Sequence, residues 1–317
     1  MFETNVKLSQ FSNYRIGGLA RYFFIAHGLE DIYKSIALAQ IYKWPIFILG
    51  GGTNLLISDN GFNGLILKPA LNFINLSKSD FDNWIVTVGA GVSVSDLLNF
   101  CIERGLSGLE WAGGLPGTVG GAVRGNAGAF KGEIKDSVTE VASLKITEVK
   151  LPYIIKRGRE ECDFSYRTSV FKKNSGQELI LTVAFELKSG NPKAIRQSAE
   201  EKIKWRQSRQ PLDYPNIGSI FKNVNWQSIP KSLQDSEEFK KHLKSDPFPV
   251  LPTATLIDKA GLKGVSFGGA MISPKHPNFI VNLGMASAAD VKNLINLVKL
   301  EVGNKFGVDL EEEIIYV

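Results

Sequence analysis

The chain is poor in the residues that would mark it as a disulfide, metal or membrane protein. Its 317 residues include 2 Cys, 3 His and 3 Met. Cys101 and Cys162 stand alone, with no CxxC or CxxH spacing, which excludes a disulfide scaffold and points to a reducing compartment. His27, His242 and His276 are too scattered for an i,i+4 metal pair or a histidine-based triad, so no metal is expected. No apolar run approaches the ~20 residues that cross a bilayer, and the opening residues are polar. A cytoplasmic protein without membrane insertion is therefore expected. The sequence has no internal repeat and no low-complexity tract. Acids and bases alternate, as in Glu237-Glu238-Phe239-Lys240-Lys241, and no aromatic-basic stripe marks a nucleic-acid surface.

What remains is an ordinary globular composition, 44% apolar and 22% charged, long enough for two or three folded units. The net charge of +5 suits an anionic partner without naming one. Glycine is plentiful and unevenly placed. Of 31 glycines, five lie in residues 50–64 and ten in residues 105–132.

Apolar spacing predicts a helix over residues 29–44, then a buried strand at 46–49 that runs into Gly50-Gly51-Gly52-Thr53-Asn54. Short strands are predicted at 65–67 and 84–88. Ser93 with Asp96 opens a helix that stops at Gly105. The glycine-dense stretch 105–132 supports no long element. Residues 137–148, 151–156 and 179–187 are β-branched and aromatic, and read as strands. After a boundary at Asn191-Pro192 come a charged helix to about residue 206, helices at 255–260 and 288–305, and a closing strand to residue 317. The pattern is α+β.

A strand followed by GGGTN has the geometry of a phosphate cradle. Glycine tolerates positive φ, so successive amide N–H groups can converge on an anion. A plain glycine-rich turn would read the same way. It is neither a Walker loop, since no Gly-Lys-Ser/Thr follows, nor the dinucleotide GxGxxG, since Asn54-Leu55-Leu56 replaces the later glycine. The second loop, residues 108–130, is entropically costly as a mere connection. Two separated anion-type loops suit a ligand with a pyrophosphate and a flat ring, which is to say a dinucleotide cofactor.

Five ordered segments then carry a resemblance: GGGTNLLISDNGF (50–62), LPGTVGGAVRGNAGAF (115–130), CDFSYRTSVFK (162–172), GSIFKN (218–223) and GVDLEEEIIYV (307–317). With Asn13-Tyr14-Arg15-Ile16-Gly17-Gly18 ahead of them, they resemble the signatures of the UDP-N-acetylenolpyruvoylglucosamine reductase (MurB) family over nearly the whole chain. No inserted loop with a Tyr separates Lys188 from Arg206, as in the shorter subclass. The resemblance implies an FAD-binding fold of the p-cresol methylhydroxylase type in two mixed lobes, 1–70 and 71–190, plus a C-terminal α+β substrate domain, 191–317. It also implies non-covalent FAD, NADPH as hydride donor, and UDP-N-acetylglucosamine enolpyruvate as the substrate reduced to UDP-N-acetylmuramate in peptidoglycan precursor synthesis. A monomer is expected. Two other functions stay open, another FAD oxidoreductase on the same fold and a catalytically silent nucleotide-sugar-binding protein.

By the same resemblance, cofactor binding falls to Gly50, Gly51, Gly52, Thr53 and Asn54 in the first loop. In the second it falls to Gly114, Thr118, Gly120, Gly121, Ala122, Asn126 and Gly128. The implied reaction adds hydride at C3 of the enolpyruvyl ether and a proton at C2. Arg167 matches the arginine whose guanidinium fork would clamp the carboxylate as enolate charge develops. Ser219 matches the proton donor, although a turn serine bonded to its own backbone is the plain reading. Glu313 is the third member. The family pattern Leu-Glu-x-Glu continues into Val-Arg, whereas here Leu310-Glu311-Glu312-Glu313 continues into Ile314-Ile315 and lacks the arginine. Glu311, two residues back on the same face, is the rival. Lys222 and Asn223 are assigned to substrate oxygens. Arg206 and Arg209 are assigned to the diphosphate side, with a solvated helix face as their alternative. His276-Pro277-Asn278-Phe279 is assigned to packing.

Overall fold

The computed structural model describes residues 2–79, 82–146 and 152–317. The chain divides into two compact units, one of residues 1–6, 20–51 and 62–206, the other of residues 7–19, 52–61 and 207–317.

Besides the two-stranded pair Gly128–Ala129 and Gly132–Glu133, the described residues of the first unit form two larger sheets. In one, Glu3–Lys7, Leu19–Ala26, Phe62–Pro69 and Ile46–Ile48 lie in that order, the last three running parallel. The helix Leu29–Ile41 carries the chain from Leu19–Ala26 to Ile46–Ile48, the two strands that flank Phe62–Pro69 on either side. Leu65, Ile66 and Leu67 are buried consecutively, as in a strand covered on both faces. That strand starts three residues before the predicted run. Gly64 within it carries no apolar signal, and a Cβ there would lie 2.2 Å from the Pro45 carbonyl oxygen. The helix ends at Ile41, short of the predicted residue 44. Lys43 takes a φ of 54°, its N–H bonds to the Gln40 carbonyl, and the Trp44 N–H bonds to the Ala39 carbonyl. This is a Schellman stop made without the usual glycine.

The second sheet runs Tyr153–Gly158, Val138–Lys145, Glu178–Ser189, Asn83–Gly89, Ile74–Lys78, all antiparallel, with Leu106–Ser107 added beside Glu178–Ser189. The predicted strand positions 147, 148 and 151 lie outside the described residues. Helix Val94–Arg104 buries Val94, Leu97, Leu98, Cys101 and Ile102 in the core of this sheet. Ser93 Oγ caps it by accepting the Asp96 N–H at 2.9 Å, and Gly105 ends it at a φ of 64°. Burial pushes the Cys101 thiol up to about 12 and Cys162 up to about 11, so neither serves as a nucleophile at neutral pH.

The second unit is built on the helix Ala288–Phe306, which buries Val291, Leu294, Ile295, Val298 and Val302. Its start is doubly fixed. Ser287 and Asp290 form a capping box, and the Asp59 carboxylate accepts the Ala288 N–H at 2.8 Å and the Ala289 N–H at 3.2 Å. Against it lie the strands Ser266–Phe267, Ala270–Ile272 and Ile280–Asn282. Ile315–Tyr316 pairs in parallel with Leu55–Leu56. Tyr14 is fully buried, and its hydroxyl donates to the Ile280 carbonyl at 2.8 Å. Tyr14→Phe would strand that carbonyl and should cost about 1–2 kcal/mol. Denaturant unfolding checks this, and a midpoint equal to wild type would mean the bond contributes nothing. Among the described residues, no helix is long and apolar enough to cross a membrane, and no group of three His, Cys, Asp or Glu could hold a metal.

Candidate active site

The two glycine loops meet in the first unit. A Cβ on Gly51 would come within 2.7 Å of Gly117 Cα, and one on Gly50 within 3.0 Å of Thr118 Oγ1. Lys68, whose pKa burial lowers, donates to the Gly50 carbonyl at 3.0 Å and steadies the loop. Thr118 caps the short helix Val119–Arg124 through the Gly121 N–H at 3.4 Å. Several glycines answer to neighbouring chain. A Cβ would meet Ala90 Cβ at 2.9 Å from Gly120, and Arg206 Cδ at 3.0 Å from Gly114, where φ is +73°. Gly121 is the more open position, its nearest neighbour being Thr118 Oγ1 at 3.5 Å. Ala122 packs into the core. Asn126 is fully buried. Its amide donates to Glu133 Oε2 at 3.2 Å and to the Ser165 carbonyl at 3.0 Å, and its Oδ1 accepts the Lys135 N–H at 3.1 Å. Asn126 thus ties the second glycine loop to the loop that bears Arg167.

Arg167 occupies the left-handed region at a φ of 54°, a conformation that a non-glycine residue holds only when its surroundings impose it. Three contacts do so. Its Nη2 donates to the Gly128 carbonyl at 2.8 Å, Lys172 Nζ donates to the Arg167 carbonyl at 2.9 Å, and Ser165 and Thr168 exchange backbone bonds around it. Ser169 then caps the next turn and donates its hydroxyl to the Arg124 carbonyl at 2.7 Å.

Arg206, on helix Pro192–Arg209, faces inward and is 8% exposed. Its Nε donates to the Gly113 carbonyl at 2.9 Å and its guanidinium lies 5.3 Å from the Phe130 ring centre. Its Nη2 is buried with no partner among the described residues. Burial, and after it the like charge of Arg167, lowers its pKa. An unsatisfied N–H beside a second guanidinium favours a bound anion. The donor set and the bare glycine backbone therefore fit an anionic dinucleotide and a phosphorylated substrate. Arg209 is exposed at the helix end.

In the second unit, Ser219 follows Gly218, whose φ of 83° turns the chain. The Gly218 N–H bonds to Asn216 Oδ1 at 3.0 Å. The segment from Ser219 to Asn223 runs beside the acidic triplet. The Glu313 N–H donates to the Ile220 carbonyl at 2.8 Å, and the Lys222 N–H donates to the Glu311 carbonyl at 2.9 Å. Asn54 Nδ2 donates to the Glu313 carbonyl at 3.1 Å, so this loop residue abuts the C-terminal segment. The triplet divides its work. Glu311 pairs with Lys222, and Glu312 pairs with Lys299 and accepts from the Tyr316 hydroxyl. Asn223 Oδ1 accepts the Thr253 N–H at 3.3 Å. Thr53 is half-buried, and Gly52 has a φ of 65° and would drive a Cβ into the Phe11 carbonyl oxygen.

His276 sits edge-on to Phe279, with ring centres 4.6 Å apart and Nδ1 buried without a partner among the described residues. Burial pushes its pKa down to about 4. The unfolded chain takes up that proton near pH 6.5 and the folded chain resists it. The contribution of this group to stability is therefore full above about pH 6.5 and falls between there and pH 4, by on the order of 3 kcal/mol. His276→Phe should flatten this limb of a plot of Tm against pH. An unchanged slope would assign the acid sensitivity to other groups.

A family model described as an FAD binding domain matches residues 20–147, within which both glycine loops lie. The first unit is accordingly of the FAD-binding class. A second model, the C-terminal domain of UDP-N-acetylenolpyruvoylglucosamine reductase, matches residues 210–317. The reductases of Lachnoclostridium phytofermentans and a Synechocystis species are each 36% identical to the chain, over 98% and 99% of it and 91% and 90% of their own lengths. The crystal structure of the MurB reductase of Thermus caldophilus aligns with a TM-score of 0.76 at 28% identity, covering 100% of this chain and 99% of that one. The chain belongs to the UDP-N-acetylenolpyruvoylglucosamine reductase family.

Proposed function

We propose that this chain reduces UDP-N-acetylglucosamine enolpyruvate to UDP-N-acetylmuramate with electrons from NADPH, in peptidoglycan precursor synthesis. Bound FAD supplies the hydride relay between NADPH and C3 of the enolpyruvyl ether. The chain's own residues hold the reactants and manage charge and proton. Arg167 grips the substrate carboxylate with a planar fork, an interaction that strengthens as negative charge grows there. Ser219 Oγ gives its proton to C2, which completes addition of one hydride and one proton across the double bond. Glu313, on the C-terminal segment that runs beside Ser219–Asn223, orients that hydroxyl. Gly50 to Asn54, with Gly114, Thr118, Gly120, Gly121, Ala122, Asn126 and Gly128, form or support the cofactor cradle. Arg206, Arg209, Lys222 and Asn223 serve the nucleotide sugar. We assign cofactor binding to lobes within residues 1–70 and 71–190 and substrate binding to 191–317, of which 207–317 forms one compact unit with 7–19 and 52–61, in a monomeric cytoplasmic enzyme.

The observation that carries this reading is the bond from the Glu313 N–H to the Ile220 carbonyl, which sets the acid beside the segment bearing Ser219. Anaerobic two-step spectroscopy tests it. NADPH should bleach the yellow protein and the enolpyruvyl nucleotide should restore its colour. Bleaching without restoration would indicate another flavin oxidoreductase, and colourless protein that binds the nucleotide sugar would indicate a silent binder.

A further inference from the structure

We propose that Asn278 is a positioning residue for Ser219, an inference that rests on the proton-donor role given to Ser219 above. The buried backbone just after Ser219 must find its hydrogen bonds somewhere, because unpaired buried amides are costly. Asn278 supplies them. Its Oδ1 accepts the Phe221 N–H at 3.0 Å, its Nδ2 donates to the Phe221 carbonyl at 2.8 Å, and its own carbonyl accepts the Ile220 N–H at 2.8 Å. Asn278 is 3% exposed and Ile220 and Phe221 are 1% exposed, so water does not compete for these bonds.

A carboxamide that holds both backbone groups of one residue imitates a β-ladder rung and fixes the chain there. On the other side, Asn216 receives the Gly218 N–H while its own amide donates to the Pro211 and Tyr214 carbonyls. Ser219 is thus slung between two buried asparagines, and Asn278 acts through the backbone. The turn that presents Asn278 is itself fixed, with Ser273 Oγ accepting the Lys275 N–H at 3.2 Å.

The test uses the holoenzyme with Asn278→Asp and Asn278→Ala. A protonated aspartic acid has the shape of asparagine and can donate to the Phe221 carbonyl while accepting its N–H, whereas the carboxylate repels that carbonyl. Restoration of colour by substrate in Asn278→Asp should be slower by about 10²-fold near pH 8 and return toward wild type near pH 5.5. Bleaching by NADPH should stay within about twofold throughout. Hydrogen exchange at the Ile220 and Phe221 amides should quicken in Asn278→Ala, even without cofactor. The Ser219→Ala, Asn278→Ala double variant should restore colour no more slowly than Ser219→Ala alone.

Equal loss in both half-reactions without acid rescue overturns the proposal. So does unimpaired restoration in the Asn278 variants while Ser219→Ala is crippled, a result that leaves the Ser219 assignment standing. Unimpaired Ser219→Ala overturns that assignment instead. If the alanine variant does not fold, the acid rescue of Asn278→Asp decides alone.

Discussion

Ser219→Ala should bleach with NADPH at close to the wild-type rate, yet recover its colour with the enolpyruvyl nucleotide about 10²–10⁴-fold more slowly. Loss of the hydroxyl removes the proton for C2 without disturbing the chain. Gly218, Ile220 and Phe221 are held by Asn216, Asn278 and the Glu313 N–H through backbone groups, and none of those bonds uses the serine side chain. Anaerobic stopped-flow measurement separates the two halves. Equal slowing of both would deny Ser219 any special part in protonation.

Arg167→Lys should also spare bleaching and slow the return of colour, by about 10²–10³-fold. Lysine preserves the charge but has no planar fork for a carboxylate. The backbone at this position is held from outside, by the Lys172 ammonium on its carbonyl. Lys172→Met should therefore produce a milder loss in the same half-reaction. If Arg167→Lys restores colour at the wild-type rate, the carboxylate clamp lies elsewhere.

The parts of the fold that announce themselves in sequence are those governed by local chemistry. Ser93 and Gly105 bracket Val94–Arg104 as their types predict, and the alternation of glycine with small residues in 105–132 does keep every element there to six residues or fewer. The helix stop at Lys43 was hidden because the residue in the left-handed position is not glycine. The glycine clusters were legible as special backbone but not in detail. Gly51 must be bare because Gly117 lies against it, a contact between loops distant in sequence.

The acidic triplet shows the same limit. Glu313 and Glu311 share a face at period two, and the lysine partners of Glu311 and Glu312 emerge only once the chain is folded. Asn278 is the clearest under-reading. In sequence its segment, His276-Pro277-Asn278-Phe279, is assigned to packing. Its importance depends on which chain returns beside it, and Phe221 is 57 residues away.

The parallel pairing of Ile315–Tyr316 with Leu55–Leu56, and the buried Tyr14 bonded to Ile280, bear on modularity. The segment 210–317 matches a domain model by itself, yet it borrows a strand partner and a core aromatic from residues that precede most of the first unit. It is not a portable cassette. An exchange of substrate domains between relatives would have to carry 7–19 and 52–61 along with it, and a fragment beginning at 210 should be recovered as aggregate. In this chain, specificity can be recombined only together with the framework threads that run through it.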